Sequence, residues 1–294
     1  MRVLIIGGGD LGKSLAMYFR PEFPVDVITR SLQKKSFFEN LGCGLFARNI
    51  SNSDFSFAMN QYELVILCAA VTVDVKVKTA SRRLFVNGTK NIIHQLQKTK
   101  FKGKLVIVGS AEAVPDPWLL LRRPASGVNA PEKFIDEQAF SKLQHPQPDP
   151  AFLQFDFWKN EQASFCFTSV FLLCGHLYGP QKNPARKLVQ GLRVTTQNPC
   201  QWVNLVHIDD VVKAVIFTSH KNVPSDFFFI TDRHPFSLEE YYGMVTREHK
   251  LPAVSFVRSN SRHHFLVGNK IDNKKITKRG FTFEHSFYTG LKNA

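Results

Sequence analysis

The sequence predicts an α/β protein: a doubly wound parallel sheet with a small C-terminal α/β lobe. Three observations predict it. Short apolar runs alternate with helix-like segments through the first two thirds of the chain, the pattern of a parallel sheet covered on both faces. A glycine-rich turn joins the first apolar run to an amphipathic helix. The 294 residues are 44% hydrophobic, enough to fill the core that such a sheet requires.

Taken in order, strands read at residues 2–6, 25–29, 64–68, 105–108 and 169–173. The first helix covers residues 11–19 and stops ahead of Pro21 and Pro24, and a second runs from Thr89 to Lys98. Between residues 115 and 150 repeated prolines break any long element, and a loop of that length in a compact protein is more often functional than idle. Helices resume at residues 157–164, 185–192, 209–219 and 237–250, the last opened by Ser237 with Glu239 and Glu240 behind it. Phe227, Phe228 and Phe229, bounded by Asp226 and Asp232, read as a buried strand. The larger domain spans residues 1–175, with 200–222 returning to it. Residues 176–199 and 223–294 form the smaller, substrate-binding lobe.

Cys43, Cys68, Cys166, Cys174 and Cys200 are odd in number and lack close paired spacing, which fits neither a disulfide framework nor a zinc site. His263 and His264 have no second ligand cluster, so no metal site is expected. No run approaches the roughly 18–20 apolar residues of a membrane span, and no secretion leader is recognised, so a cytoplasmic protein is expected. The net charge of +14 would draw the protein to anionic ligands, nucleic acid included. It is spread over short runs in turns and helix ends, which reads as solvated surface.

The turn after the first strand reads Gly7-Gly8-Gly9-Asp10-Leu11-Gly12, with Gly7, Gly9 and Gly12 at G-x-G-x-x-G spacing. Between a buried strand and a helix this is the fingerprint of a Rossmann dinucleotide site, with pyrophosphate on the helix start. Gly7, Gly9, Asp10, Leu11 and Gly12 are therefore cofactor-binding candidates, with Ala69 and Ala70 after the third strand. NAD binders often end the second strand with an acid that holds the ribose 2′-hydroxyl. Here Thr29-Arg30-Ser31 follows instead, and a guanidinium suits a 2′-phosphate, with Thr29 or Ser31 adding hydroxyl contacts. NADP is the expected cofactor and NAD the alternative.

The chain resembles the extended or atypical short-chain dehydrogenase/reductases, the NAD(P)-dependent epimerase/dehydratase-like proteins, over nearly its whole length. Besides the glycine loop, the resemblance rests on Val86-Asn87-Gly88-Thr89, on residues 105–110, on Tyr178-Gly179-Pro180, and above all on Val203 to Val212 with His207-Ile208-Asp209-Asp210. It implies a catalytic tyrosine, a lysine four residues on, and a serine steadying the substrate oxygen. The best match, Phe155-Asp156-Phe157-Trp158-Lys159, keeps the lysine and loses the phenol. Ala111 stands at the serine position, between Ser110 and Glu112.

Lys159, Ser110, Glu112 and Tyr178 are thus the catalytic candidates, and Lys159 is also expected to hold the nicotinamide ribose as in the family. In the resemblance, His207 with Asp209 and Asp210 caps a helix and fixes the lobe. Trp118, Phe134, Phe152, Phe155, Phe157 and Trp158 form either an apolar lid or plain packing. The leading expectation is oxidoreductase or epimerase-like chemistry on a small carbonyl or sugar-like substrate with a non-standard proton donor. A catalytically silent NAD(P)-binding sensor or assembly subunit is the alternative, and RNA or polyanion binding a weaker one.

Overall fold

A computed structural model describes residues 1–69, 83–114, 134–143, 149–180, 194–196, 202–232, 234–258 and 269–287. The strands are β1 (Val3–Ile6), β2 (Val25–Thr29), β3 (Gly44–Ala47), β4 (Leu64–Leu67), β5 (Lys104–Ser110), β6 (Phe134–Ile135), β7 (Thr168–Cys174), β8 (His176–Tyr178), β9 (Val194–Thr196), β10 (Trp202–Val203), β11 (Leu205–His207), β12 (Asp226–Ile230), β13 (Phe236–Ser237), β14 (Phe256–Arg258) and β15 (Lys270–Ile271). The helices are α1 (Asp10–Phe19), α2 (Lys35–Asn40), α3 (Thr89–Lys98), α4 (Glu137–Phe140), α5 (Pro150–Glu161), α6 (Ile208–Ser219), α7 (Leu238–Glu248) and α8 (Lys274–Lys278).

Seven strands form one parallel sheet in the order β12-β7-β5-β4-β1-β2-β3. Val3 lies beside both Val25 and Leu64, so β1 sits inside the sheet and is buried along its whole length. The order reverses direction around β1, the switch point at which open α/β sheets leave a crevice at the strands' carboxyl ends.

The chain divides into two compact units. The first, residues 1–113, 149–173 and 212–228, carries most of the sheet and the glycine turn. Lys104, at the start of β5, is 6% exposed, and its amine donates to His220 O (2.6 Å) and Val223 O (2.7 Å) just past α6. Burial lowers this amine to a pKa of about 8.

The second unit holds residues 114–148, 174–211 and 229–294. Its aromatic core includes Tyr178, Phe236, Tyr241, Tyr242 and Phe287. Two buried carboxylates pin residues 284–287: Asp210 accepts from the backbone N–H of Glu284 and of His285, and Asp232 from that of Phe287. Helix α7 opens on a capping box, Ser237 Oγ accepting from Glu240 N and Glu240 Oε2 accepting from Ser237 N. Glu137 Oε1 accepts the N–H of Phe229 at 2.9 Å, and burial pushes its carboxyl up to about 7.

Three expectations change. Helix α5 begins at Pro150 rather than near residue 157, because proline suits a first helical position and the Asp149 carboxylate caps Ala151 N at 2.7 Å. The loop before it contains β6 and α4. Phe155 and Trp158 are core residues, 2% and 1% exposed, so these two are packing and not a lid. The expected helix at 185–192, Trp118, His263 and His264 lie outside the described residues, and so do Cys200 and Ala70.

Candidate functional site

The glycine turn is built from the end of β1. Gly7 N donates to Ile28 O at 2.9 Å, and Gly7 has φ +132°, a conformation that disfavours a side chain. A Cβ there would meet Ala69 N at 2.7 Å, so the strand end after β4 packs directly on the turn. A Cβ on Gly12 would overlap Gly7 O, which is the close helix-to-strand approach the motif requires. Gly9 differs: among the described residues nothing lies within 4 Å of a Cβ built on it, and no side chain caps the start of α1. Open space therefore adjoins the positive end of a ten-residue helix.

After β2, Thr29 Oγ1 donates to Ser31 O and accepts from Ser31 N, while Ser31 Oγ accepts from Gln33 N. Both hydroxyls hold the turn itself. Arg30 is exposed, and its guanidinium makes no hydrogen bond or ion pair among the described residues. Arg48 N donates to Thr29 O, which brings a second arginine to the same strand edge. Lys34 Nζ reaches back to Asp10 Oδ1 at 3.3 Å. Sequence reasoning missed this pair, since nothing local links positions 10 and 34. Leu11 is buried, so its side chain serves the core and only its backbone borders the turn.

The expected catalytic group is not assembled. Phe155 packs against Phe227 (4.9 Å between ring centres), Phe171 (5.4 Å) and Trp158 (5.8 Å). Helix α5 descends from the carboxyl edge of the sheet: Gln154 Oε1 is 3.4 Å from a Cβ built on Gly109, while Trp158 Nε1 donates to Ser169 Oγ near the amino end of β7. Lys159 is one residue further down, exposed, its Nζ 5.9 Å from the centre of the Phe155 ring. The Phe155 ring on this helix packs on β7 and β12, and the helix also adjoins β5 and residues 111–113. The glycine turn follows β1, three strands from β7, or about 14 Å at ~4.8 Å per strand.

Ala111 is 1% exposed, Ser110 is half-buried at the end of β5, and the Glu112 side chain lies outside the described residues. In the second unit Tyr178 is 2% exposed, edge-on to His207 and Phe287. Its hydroxyl has no hydrogen-bond partner among the described residues. Burial, then the carboxylates of Asp232 and Asp210, push this phenol up, the opposite of what a proton-transferring tyrosine needs.

His207 Nδ1 accepts from Asp209 N at 3.3 Å, and its ring stacks on His285 at 3.9 Å and 18°. Ligand atoms of His207, Asp209 and His285 lie within 4.8 Å of one another. With the two rings nearly parallel, their in-plane lone pairs do not converge on one point, so the geometry is that of a stacked pair holding residues 284–285 to the start of α6.

No protein-family model matches the chain, and no curated protein matches it in sequence. Solved structures do. UDP-glucose 4-epimerase of Thermotoga maritima with UDP-glucose is 16% identical and matches with a TM-score of 0.75, over 99% of this chain and 96% of that one. UDP-glucuronic acid 4-epimerase of Bacillus cereus, with UDP-glucuronic acid and NAD, matches at 0.77 with 16% identity over 100% and 97%. MoeE5 with UDP-glucuronic acid and NAD matches at 0.77 with 17% identity over the same shares. The chain shares the fold of these solved structures along nearly its whole length. No helix among the described residues is long and apolar enough to cross a membrane.

Proposed function

We propose that this protein binds NADP(H), with NAD(H) as the alternative, along Gly7, Gly9, Asp10, Leu11 and Gly12. It uses the cofactor for oxidoreductase or epimerase-like chemistry on a small carbonyl or sugar-like substrate, without a phenol–lysine pair. The observation that carries this reading is the uncapped start of α1 with open space beside Gly9. That combination leaves backbone N–H groups and the helix dipole aimed at room for a pyrophosphate. The unpaired guanidinium of Arg30 supports a 2′-phosphate. The proteins of the same fold that were solved with NAD and UDP-sugars support a nicotinamide cofactor and a sugar-like substrate.

When bound, the nicotinamide supplies hydride exchange. The chain's own residues would divide the remaining work. The backbone of residues 9–12 holds the diphosphate, Arg30 grips the adenosine end, and Ala69 forms the wall behind Gly7. Phe155 and Ala111 offer no transferable proton, so that step is assigned to Ser110 or Glu112 at the carboxyl end of β5, or to a residue of the loop that follows.

Thermal melts test the reading. A ligand that binds only the folded state stabilises it by about 2.7 kcal/mol at 100 times its Kd, so NADPH is expected to raise the melting temperature, and more than NADH does. If neither moves it, the proposal fails. A silent binder is the second reading, favoured by the burial of Phe155 among core aromatics. It predicts cofactor binding with neither a change in nicotinamide absorbance nor conversion of the added UDP-sugars or small carbonyls, followed by chromatography.

A further inference from the structure

Asp10 opens α1, where the partial positive charge of a helix start favours a carboxylate. The same place must receive two phosphates if a dinucleotide binds. A carboxylate standing there opposes the ligand. Lys34 Nζ lies 3.3 Å from Asp10 Oδ1, with the two side chains 38% and 30% exposed. Its delivery is built into the chain: the Thr29–Ser31 turn, then Ser31 Oγ capping the short helix Leu32–Lys34, carry the amine from the end of β2 back over the glycine turn. Neighbouring amines have other positions. Lys35 pairs with Glu39 at 3.4 Å, and Lys13 sits 5.0 Å from the centre of the Phe37 ring.

We infer that Lys34 is a positioning residue of the dinucleotide site: it neutralises Asp10 and holds an amine over the start of α1, so that the turn accepts a pyrophosphate the bare carboxylate would repel. This rests on the dinucleotide reading above. It also separates two cations. Arg30 addresses the 2′-phosphate, which only NADP carries, whereas Lys34 acts on the diphosphate common to both cofactors.

The test is equilibrium binding of NADPH and NADH to wild type, Lys34→Met, Asp10→Asn and the double variant, at low and at high salt. A charge at this range and exposure changes affinity by about 3–10-fold. Lys34→Met is expected to weaken both cofactors by the same factor, Asp10→Asn to tighten both, and the double variant to return close to wild type. High salt should shrink each difference, while the melting temperature without ligand stays near wild type. Unchanged affinity in Lys34→Met overturns the inference. So does a loss confined to NADPH, which would make Lys34 a 2′-phosphate ligand. If Lys34→Met does not fold, a failure of Asp10→Asn to tighten binding overturns it as well. Wild type binding neither cofactor would instead sink the dinucleotide reading itself.

Discussion

Restoring a tyrosine at position 155 is the change that sequence alignment recommends and the structure argues against. In Phe155→Tyr the new hydroxyl extends a ring that is 2% exposed and enclosed by Phe171, Phe227 and Trp158. Burying a hydroxyl without a partner costs about 1–3 kcal/mol on protein mutational scales. At about 2–4 °C per kcal/mol for a chain somewhat smaller than this one, the melting temperature should fall by roughly 2–10 °C. Activity should not appear, since the ring is enclosed among core aromatics. Calorimetry and a nicotinamide absorbance assay with UDP-sugars measure the two halves separately. A variant as stable as wild type that also gains turnover would refute the placement of Phe155.

Three further expectations follow from the same geometry. Gly9→Ala adds a methyl group that meets no protein atom and keeps an ordinary φ of −72°, so it should melt within about 1 kcal/mol of wild type yet lose cofactor affinity, as seen by titration. Arg30→Asp should lower NADPH affinity by about 10–100-fold while sparing NADH; a variant that keeps its NADPH preference removes Arg30 from the 2′-phosphate. Lys104 has its pKa lowered to about 8 from 10.5, so between those values the unfolded chain carries more protons than the folded one. Stability should therefore rise with pH across that window, by up to about 3 kcal/mol. Lys104→Met should be less stable than wild type and lose that slope, and an identical pH profile in the two proteins would show that this amine is not responsible.

The parts of the molecule that were legible in the sequence are those fixed by near neighbours. Val3 to Gly12 encodes strand, turn and helix within ten positions, and Phe227 to Phe229 announces a buried strand by itself. The start of α5 was illegible because Pro150 was weighed as a breaker, although the residue before it is an aspartate that caps. The orientation of the helix that carries Lys159 is illegible for a different reason. Which face of α5 looks where is decided by Gln154 Nε2 on Thr89 Oγ1, 65 positions apart, and by Trp158 on Ser169. A five-residue motif carries no information about such pairings. The Asp10–Lys34 pair was hidden in the same way, by a separation of 24 positions.

The two aspartates that grip residues 284–287 have a consequence for biosynthesis. Asp210 and Asp232 are 1% and 6% exposed, and each accepts backbone N–H groups from that late segment. While those residues are still inside the ribosome, the carboxylates lack these partners, and the aromatic core closed by Phe287 lacks its last ring. The first unit can condense earlier on β1 to β5, but the second cannot reach its native packing during synthesis of its own first half. Its packing is completed only once residues 284–287 have left the ribosome, and until then its unsealed aromatic face is open to association.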